Sequence, residues 1–187
     1  MRIISGKLKG KKIFFSKSTT TRPLKDSVKE SIFNILTHSK LLNISLDNSN
    51  ILDLYSGFGS FGLECISRGA QKITFVEKNE IIAKILKKNL LTLGIKNGIT
   101  LVVDDIKKFL SRDLFEKYEI IFLDPPFSNN HYLNELKLIK QNKNYKKDHV
   151  IIIHRERKSF DNFKNVFNPV LIKQYGRSKI IFGKFLQ

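Results

Sequence analysis

Short apolar runs alternate with longer stretches of helical periodicity from residue 51 onward. Runs of this length between turn residues predict buried strands, and apolar residues spaced three or four apart predict amphipathic helices. Strands that alternate with helices favour a parallel, doubly wound α/β sheet flanked by helices. The predicted strands are residues 51–55, 72–77, 99–103, 119–123 and 150–154, and the predicted helices are residues 61–68, 79–93, 106–115 and 131–141.

Both ends of the chain depart from this alternation. Residues 170–175 and 178–185 flank a Gly-Arg turn, which predicts an antiparallel β-hairpin that closes the sheet. Residues 2–5 and 12–15 predict a small N-terminal hairpin with a basic tip. A helix is predicted to follow, because apolar residues recur there at helical spacing: Val28, Ile32, Ile35 and Leu36.

The charge of the chain indicates a polyanionic partner. Lys and Arg number 34 against 17 Asp and Glu, a net charge of +17, and the excess is concentrated in the first 29 residues, where Asp26 is the one acidic residue. A lysine-rich composition explains part of this excess, but the clustering favours nucleic acid. We therefore expect a basic extension for nucleic-acid recognition at 1–43 and a main domain at 44–187, together forming one compact unit.

No apolar run approaches the ~20 residues that span a bilayer, and the basic N-terminus lacks the apolar block of a signal peptide. We therefore expect a cytoplasmic protein without a membrane partner. Cys65 is the one cysteine of the chain, so an intramolecular disulfide is impossible. It lies in an apolar helical pattern without Cys or His neighbours at metal-binding spacing, which favours a packed core thiol and predicts no metal site.

An Asp-Pro-Pro-Phe sequence directly follows the predicted strand at 119–123. Two successive prolines fix φ and lack a backbone N–H, so the chain leaves the sheet along one rigid path. Ligands of parallel α/β sheets bind at the carboxyl ends of the strands. There Asp124 and the Pro125 carbonyl can accept the two hydrogens of an exocyclic amino group while Phe127 stacks on its base. A rigid turn beside a solvated aspartate is the plainer alternative, and these four residues alone do not decide.

A glycine-rich turn joins the first strand of the predicted sheet to its helix. Gly57, Gly59 and Gly62 match a dinucleotide-binding pattern, and Glu77 ends the next strand, where a carboxylate can accept both hydroxyls of an adenosine ribose. Asp53 precedes the turn, where it would repel the pyrophosphate of NAD but suit a ligand that carries an ammonium group. The pattern favours S-adenosylmethionine, with NAD as the alternative.

The end of the third predicted strand supplies a further carboxylate for the adenine amino group. Asp104 and Asp105 compete for this role, and we prefer Asp105 because the apolar Ile106 follows it and can line the ring. Turn glycines and helix-capping carboxylates are the plainer alternatives. The predicted cofactor contacts are Asp53, Tyr55, Gly57, Gly59, Glu77, Lys78, Asp105 and Ile106.

In combination, these motifs resemble the RsmD family of 16S ribosomal RNA guanine-N2 methyltransferases, within the class I S-adenosylmethionine-dependent superfamily. The resemblance covers nearly the whole chain. The Asp-Pro-Pro-Phe sequence is shared with amino-methylating DNA enzymes and identifies only the chemistry, whereas the two N-terminal segments point to this family. The matching segments are residues 2–10, 21–34, 53–70, 77–90, 124–127 and 175–182.

The resemblance implies a Rossmann-like class I methyltransferase fold that transfers a methyl group from S-adenosylmethionine to the N2 amino group of one guanine in 16S RNA. The implied partner is 16S RNA or the assembling small ribosomal subunit, and we expect a monomer. The catalytic contacts are expected from Asp124, Pro125 and Phe127, and the RNA contacts from Arg2, Lys7, Lys9, Arg22, Lys25 and Pro126.

The chain departs from the family pattern at a few positions. Phe58 and Phe61 stand where such enzymes usually have small residues, Asn79 where an acidic residue is common, and Gly183 where an aromatic residue is usual. These departures concern the shape of the cofactor pocket and not the reaction.

Three rival functions stay open. An adenine-N6 DNA methyltransferase would use the same Asp-Pro-Pro-Phe corner, although 187 residues show no separate target-recognition domain. An NAD-dependent oxidoreductase would use the glycine turn. A non-catalytic RNA-binding assembly factor is the third, and the intact set of carboxylates argues against it.

Overall fold

A computed structural model describes residues 1–16, 24–112, 116–128 and 131–186. Its elements alternate as the sequence predicts from β1 to β5, and the hairpin of β6 and β7 follows. The helices are α1 (Asp26–His38), α2 (Ser60–Ser67), α3 (Glu80–Thr92), α4 (Ile106–Leu110) and α5 (Tyr132–Gln141). The strands are β1 (Asn50–Leu54), β2 (Lys72–Val76), β3 (Ile99–Val102), β4 (Tyr118–Leu123), β5 (Tyr145–Glu156), β6 (Phe167–Tyr175) and β7 (Ser178–Phe185).

The strands form one seven-stranded sheet in the order β3-β2-β1-β4-β5-β7-β6. The first five strands in this order are parallel, whereas β7 pairs antiparallel with both β5 and β6. The order reverses between β1 and β4, and such a switch point is where ligands bind in open α/β sheets. The predicted class I methyltransferase fold, a mostly parallel sheet closed by a C-terminal antiparallel hairpin, is therefore confirmed.

Helices cover both faces of the sheet. One apolar cluster joins α1, α2 and α3 to the sheet and includes Phe33, Phe61 and Leu86. The other joins α4 and α5 to the opposite face and includes Phe109 and Leu136. Burial on both faces explains why the central strands are continuous apolar runs rather than alternating ones.

The N-terminal extension shares the core of the main domain. Ile3, Ile13 and Val28 are buried in the same cluster as Ile51 of β1 and Phe61 of α2. The apolar core therefore runs across the predicted boundary at residue 43, and the separate function of residues 1–43 stays a prediction.

The predicted N-terminal hairpin is present, but its strands at 2–5 and 12–15 are reduced to one antiparallel bridge between Arg2 and Lys12. The N–H of Ile3 donates to the Lys11 carbonyl at 2.9 Å, and the N–H of Ile13 donates to the Met1 carbonyl at 3.1 Å. The pairing does not extend beyond this point, because α2 binds the next backbone donors of the first segment. The N–H groups of Ile4 and Ser5 donate to the Glu64 carboxylate at 2.7 and 2.9 Å. The N–H of Lys7 donates to a backbone carbonyl at the end of α2 at 2.7 Å.

Two other boundaries differ from the sequence prediction by five residues each. Helix α4 ends at Leu110, five residues before the predicted end at 115, and residues 113–115 lie outside the described ranges. Strand β5 starts at Tyr145 rather than 150, because its polar first half pairs with the beginning of β4 across an irregularity in the register. Apolar periodicity does not reveal such a polar strand end.

Glu64 holds the extension to α1 and α2 from a fully buried position. Its carboxylate lies 3.7 Å from the ammonium group of Lys29, which is also fully buried, and 2.8 Å from the guanidinium of Arg68. Lys29 also donates to the carbonyl of Arg2 at 2.6 Å. Burial lowers the pKa of Lys29, and the negative charges of Glu64 and Asp26 oppose that shift.

We predict that Glu64→Ala destabilises the fold by about 3–5 kcal/mol, because it leaves a buried lysine and two backbone donors without the carboxylate that they contact. Urea unfolding monitored by circular dichroism measures the change. The matched control is Lys72→Ala, which breaks the exposed 3.4 Å pair with Glu116 and should cost less than about 1 kcal/mol. Equal effects of the two substitutions would contradict the central position of Glu64.

Candidate active site

A cleft of about 910 Å³ opens at the carboxyl edge of the sheet. Its volume is typical of a site for a small molecule or cofactor. The predicted cofactor and catalytic residues converge on it from separate strands, except Gly59, which is buried outside its lining. The converging residues are Asp53, Tyr55, Gly57, Glu77, Lys78, Asp105, Ile106, Asp124, Pro125 and Phe127.

The turn between β1 and α2 requires glycine at two positions. Gly59 adopts φ +84°, and a Cβ there would lie 2.3 Å from a methyl carbon of Leu86. A Cβ on Gly62 would lie 2.3 Å from the ring of Phe75 and 3.0 Å from an oxygen of Asp53. The missing side chains allow α2 to begin directly against β1 and β2, with its N-terminus toward the cleft.

Asp53 is fully buried at the end of β1. Its Oδ2 accepts the N–H of Gly62 at 3.0 Å, while its Oδ1 has no partner among the described residues. Burial raises the pKa of Asp53 well above its ordinary value, and the negative charges of Asp124 and Glu77 add to the shift. A buried, unpartnered carboxylate oxygen beside a cleft fits a cationic ligand and opposes the pyrophosphate of NAD.

Glu77 lies just beyond β2 with both carboxylate oxygens fixed by backbone donors. Its Oε2 accepts the N–H of Gly57 at 2.9 Å, and its Oε1 accepts the N–H of Asn79 at 2.8 Å. Each oxygen of an ionised carboxylate has a second lone-pair direction. The pair of oxygens is thus held rigidly at the cleft and retains capacity for two hydroxyl donors.

Asp105 and Asp104 have different surroundings. Asp105 lines the cleft, and its Oδ1 caps α4 by accepting the N–H groups of Lys107 and Lys108 at 2.9 and 3.3 Å. Asp104 pairs instead with the guanidinium of Arg112. The helix-capping alternative therefore applies to Asp105, although one cap occupies only one of its two oxygens.

The half-buried Tyr55 and the buried Glu135 form a pair on the α5 side of the cleft. Tyr55 has φ +59°, and its hydroxyl lies 2.7 and 2.8 Å from the two carboxylate oxygens of Glu135. Burial raises the pKa of Glu135 to about 7, the hydrogen bond from Tyr55 opposes the shift, and the charge of Asp105 adds to it. Glu135 therefore changes charge near neutral pH.

Asp124 stands at the end of β4, next to β1 and β5. Its N–H donates to the Leu54 carbonyl of β1 at 3.4 Å. On the β5 side, Nδ1 of His154 lies 2.7 Å from Oδ1 of Asp124. The ring of Phe127 meets the ring of His154 edge-to-face, with the centroids 5.5 Å apart.

An ionic network braces the loop that carries the two prolines. Arg155 is buried, donates to the Pro126 carbonyl at 3.3 Å and pairs with Asp161 at 3.0 Å. Lys179 reaches the other oxygen of Asp161 at 2.7 Å. Burial alone would raise the pKa of Asp161, but hydrogen bonds from Lys179, Tyr132 and other donors outweigh it and lower the pKa. The Asp-Pro-Pro-Phe corner is thereby held by this ionic network as well as by the rigidity of its prolines.

The half of the cleft beside Asp124 is enclosed by the N-terminal extension and the β6–β7 turn. Ser31 of α1 and Tyr175 of β6 contact each other through their hydroxyls, which joins the two regions. The enclosing residues are Met1, Leu24, Lys25 and Val28 from the extension and Tyr175, Arg177 and Ser178 from the turn.

The predicted RNA-binding residues do not lie together. Lys25 and Pro126 line the cleft. Lys7 and Lys9 are exposed on the hairpin tip, which docks on Ser67 at the far end of α2. The seven residues that separate Ser67 from the start of α2 correspond to roughly 10 Å of helix, so the tip lies away from the cleft.

The structure describes only one of the two arginines that the sequence predicts to bind RNA. Arg2 is exposed and lies 3.7 Å from the carboxylate of Asp26. Arg22 lies outside the described residues.

Sequence reasoning missed three residues of this edge. His154 carries a signal, because it ends an apolar run in a strand parallel to the one that precedes Asp124. Glu135 carries a weaker one, a carboxylate on the inner face of an amphipathic helix. Nothing in the sequence distinguishes Arg155 from the exposed cations that follow it.

Three of the four departures from the family pattern have a local structural context. Phe61 lines the cleft and stacks between Phe122 and Phe33, with centroid separations of 4.1 and 5.3 Å. Asn79 caps α3 by accepting the N–H groups of the first turn. Gly183 is required because a Cβ there would lie 2.2 Å from the Asn168 carbonyl.

The described residues show neither a metal site nor a membrane-spanning helix. Among them, no three His, Cys, Asp or Glu side chains group closely enough to hold a metal ion. No helix there has the length and apolar character to cross a bilayer. Cys65 is a buried core thiol, as predicted, and burial raises its pKa.

The fold and this cleft define a class I S-adenosylmethionine-dependent methyltransferase. Comparison with solved structures agrees. The Escherichia coli protein yhhF superposes with a TM-score of 0.84 at 25% identity, over 98% of this chain and 96% of that one. Methylase HI0767 of Haemophilus influenzae gives 0.76 at 29% identity, over 100% and 98%. SMU.776, whose structure holds S-adenosylhomocysteine, shares the fold at 18% identity and a TM-score of 0.61, over 79% and 48%.

The family follows from the sequence comparisons. The family model described as "Conserved hypothetical protein 95" matches residues 1–184. Ribosomal RNA small subunit methyltransferase D of Buchnera aphidicola subsp. Acyrthosiphon pisum is 35% identical over 83% of this chain and 78% of its own length. The Haemophilus influenzae protein of that name is 34% identical over 84% and 79%. This chain belongs to the same family, the RsmD methyltransferases.

We predict that Glu135 makes the folded state less stable as pH rises from about 4.5 to about 7. Its folded pKa of about 7 exceeds the ordinary 4.5, so the folded state binds more protons than the unfolded state in this window. Glu135→Gln should remove this loss, and the variant should be more stable than the wild type at pH 8 by on the order of 2 kcal/mol. Urea unfolding of both proteins at pH 5 and pH 8 measures the difference. Parallel pH dependences would contradict the raised pKa.

Proposed function

We propose that this enzyme transfers a methyl group from S-adenosylmethionine to the exocyclic N2 amino group of a guanine in 16S ribosomal RNA. We further propose that it acts as a cytoplasmic monomer on the assembling small subunit. The observation that carries the proposal is the position of Asp124 and Phe127 in the same cleft as the glycine turn and Glu77. Relatives named ribosomal RNA small subunit methyltransferase D support the choice of substrate.

The donor half of the cleft fits S-adenosylmethionine. The unpartnered oxygen of Asp53 would accept from its ammonium group, and the two fixed oxygens of Glu77 would accept from the ribose hydroxyls. Asp105 has one oxygen beyond its helix cap for the adenine amino group, and Ile106 supplies an apolar wall. Tyr55, Gly57 and Lys78 complete this half, and Gly59 contributes by letting α2 approach rather than by contact.

The acceptor half suits an amine on a flat base. The bound sulfonium supplies a methyl group that is already activated for transfer. Asp124 and the Pro125 carbonyl would accept the two N–H bonds of the guanine amine and hold its nitrogen toward the donor half, so the benefit is largely orientation and charge placement. As the nitrogen–methyl bond forms, the sulfur–methyl bond breaks and a neutral thioether leaves. The amine would then be cationic, and the Asp124 carboxylate would accept the proton that it loses.

The target guanine must leave its stack to reach this corner, as in base-flipping enzymes. Phe127 would stack on the everted base, and such stacking contributes about 1–3 kcal/mol. Pro126, at the same rim, is exposed beside it. These contacts offset part of the cost of unstacking.

We predict that Asp124→Ala lowers methyl transfer to RNA at least about 100-fold while S-adenosylmethionine affinity stays within about threefold. Transfer of tritiated methyl to small subunits lacking this modification, with mass spectrometry of the nucleoside, measures the first effect. Calorimetry measures the second. Asp148→Ala, an exposed carboxylate on β5, is the control. Unchanged turnover in the Asp124 variant, or methyl transfer to adenine in duplex DNA, would refute the proposal.

RNA affinity should depend most on cations at the cleft. We predict that Lys25→Ala weakens RNA binding and lowers the slope of log affinity against log salt by about 1, because one phosphate contact is lost. Lys117 precedes β4 at the opposite edge of the sheet, so Lys117→Ala is the matched control. Filter binding across a salt series measures both. Identical slopes for the two variants would exclude Lys25 from the RNA path.

The remaining predicted contacts are tested in the same assay. We propose that Lys7, Lys9 and Arg2 hold RNA beyond the target nucleotide, since the tip lies away from the cleft. A Lys7→Ala, Lys9→Ala double variant should lose affinity for long RNA but not for a short target stem. Point substitutions are the appropriate test, because Ile3 and Ile13 belong to the core and a deletion would disturb it. Arg22 remains a candidate from the sequence.

A further inference from the structure

We infer that His154 is a positioning residue for methyl transfer, which holds the Asp124 carboxylate and the Phe127 ring in their working arrangement. This inference rests on the proposed function, which assigns Asp124 to the target amine and Phe127 to the target base. The observation behind it is independent of that assignment: one buried imidazole contacts both groups.

Strand register brings the histidine to this place. β4 and β5 are parallel, and Leu123 pairs with Ile153, so the next residue of each strand, Asp124 and His154, are neighbours at the carboxyl edge. Both line the cleft. His154 is 9% exposed, and a polar side chain buried to this degree ordinarily satisfies its ring nitrogens.

The hydrogen bond fixes which nitrogen carries the proton. An ionised carboxylate only accepts hydrogen bonds, so Nδ1 of His154 is the donor to Oδ1 of Asp124 across 2.7 Å. The other nitrogen, Nε2, is buried and has no partner among the described residues. The imidazole is therefore anchored through Asp124 and not through a wider structural network.

Its neighbour on the strand shows the contrast. Arg155 points to the other side of β5 and bonds to Asp161 and the Pro126 carbonyl, which makes it part of a bracing network. His149, near the other end of the same strand, accepts the N–H of Phe185 through Nε2 at 3.0 Å and contacts backbone carbonyls through Nδ1. Both of those side chains hold backbone, whereas His154 holds a carboxylate at the reaction site.

The consequence concerns the two oxygens of Asp124. With Oδ1 engaged by His154, the carboxylate cannot rotate freely, and Oδ2 is left for the amine of the target base. The edge-to-face contact sets the plane of Phe127 at 82° to the imidazole, which orients the stacking surface. Loss of the donor should therefore lower the rate of the bound complex rather than the affinity for the cofactor, because misplacement of about 1 Å costs up to about 100-fold.

Three substitutions separate the donor from the ring. His154→Asn puts an amide nitrogen where Nδ1 stands, His154→Gln puts it where Nε2 stands, and His154→Phe keeps the ring contact with Phe127 but no donor. We expect kcat for RNA methylation to stay within about fivefold for Asn and to fall about 10–100-fold for Gln and Phe. The dissociation constant for S-adenosylmethionine should not change in any variant, and thermal melting checks folding.

The control is His149→Asn, which removes a buried histidine that holds backbone on the same strand. It should lower the melting temperature without lowering kcat of the folded protein. A matching spectroscopic test uses the ¹⁵N shifts of the His154 imidazole, which should report hydrogen on Nδ1 in the wild type and change in Asp124→Asn.

The outcomes distinguish this inference from the proposed function. Wild-type kcat in His154→Phe, or equal losses in Asn and Gln, would overturn the positioning role while Asp124→Ala remained inactive. Activity in Asp124→Ala would instead overturn the proposed function. A loss in Gln and Phe with recovery in Asn supports the hydrogen bond as the working contact, and a hydrogen on Nε2 in the neutral ring would contradict it.

Discussion

The parallel pairing of β1 with β4 at the centre of the sheet is the constraint on which the site depends. Leu54 pairs with Leu123, and the N–H of Asp124 donates to the Leu54 carbonyl. The glycine turn leaves β1 and the Asp-Pro-Pro-Phe corner leaves β4 at this one point. Two binding surfaces far apart in the chain therefore face one cleft, and a shift in register would separate them.

The same geometry brings several carboxylates close together in the cleft. Asp53 is buried and raised in pKa, and both Asp124 and Glu77 contribute to the shift. Carboxylates crowded in this way are costly unless a cation enters among them. A sulfonium ligand with an ammonium group offsets that cost, because its positive charges reduce the repulsion among the carboxylates. The stability of the site is thereby linked to the charge of its cofactor.

The sequence predicts the elements whose structure depends on neighbouring residues in the chain. The order of β1 to β5 and their helices follows from apolar periodicity, and the positions of Asp53, Glu77 and Asp124 follow from motifs at strand ends. The N-terminal segment was less predictable, because its donors are taken by Glu64 and Ser67 of a distant helix. For His154 and Glu135 the sequence carries only a partial signal, because their surroundings depend on contacts across strands and helices.

The order of strands has a consequence for how the protein is made. β7 follows β6 in the chain yet lies between β5 and β6 in the sheet. On a ribosome, β5 emerges with an unpaired, apolar edge that stays open until both later strands have left the exit tunnel and β7 can insert. Such an edge can pair with other chains. Nascent copies are therefore most prone to aggregation during this interval. The wall of the cleft that includes Tyr175 and Arg177 is complete only when β7 has inserted.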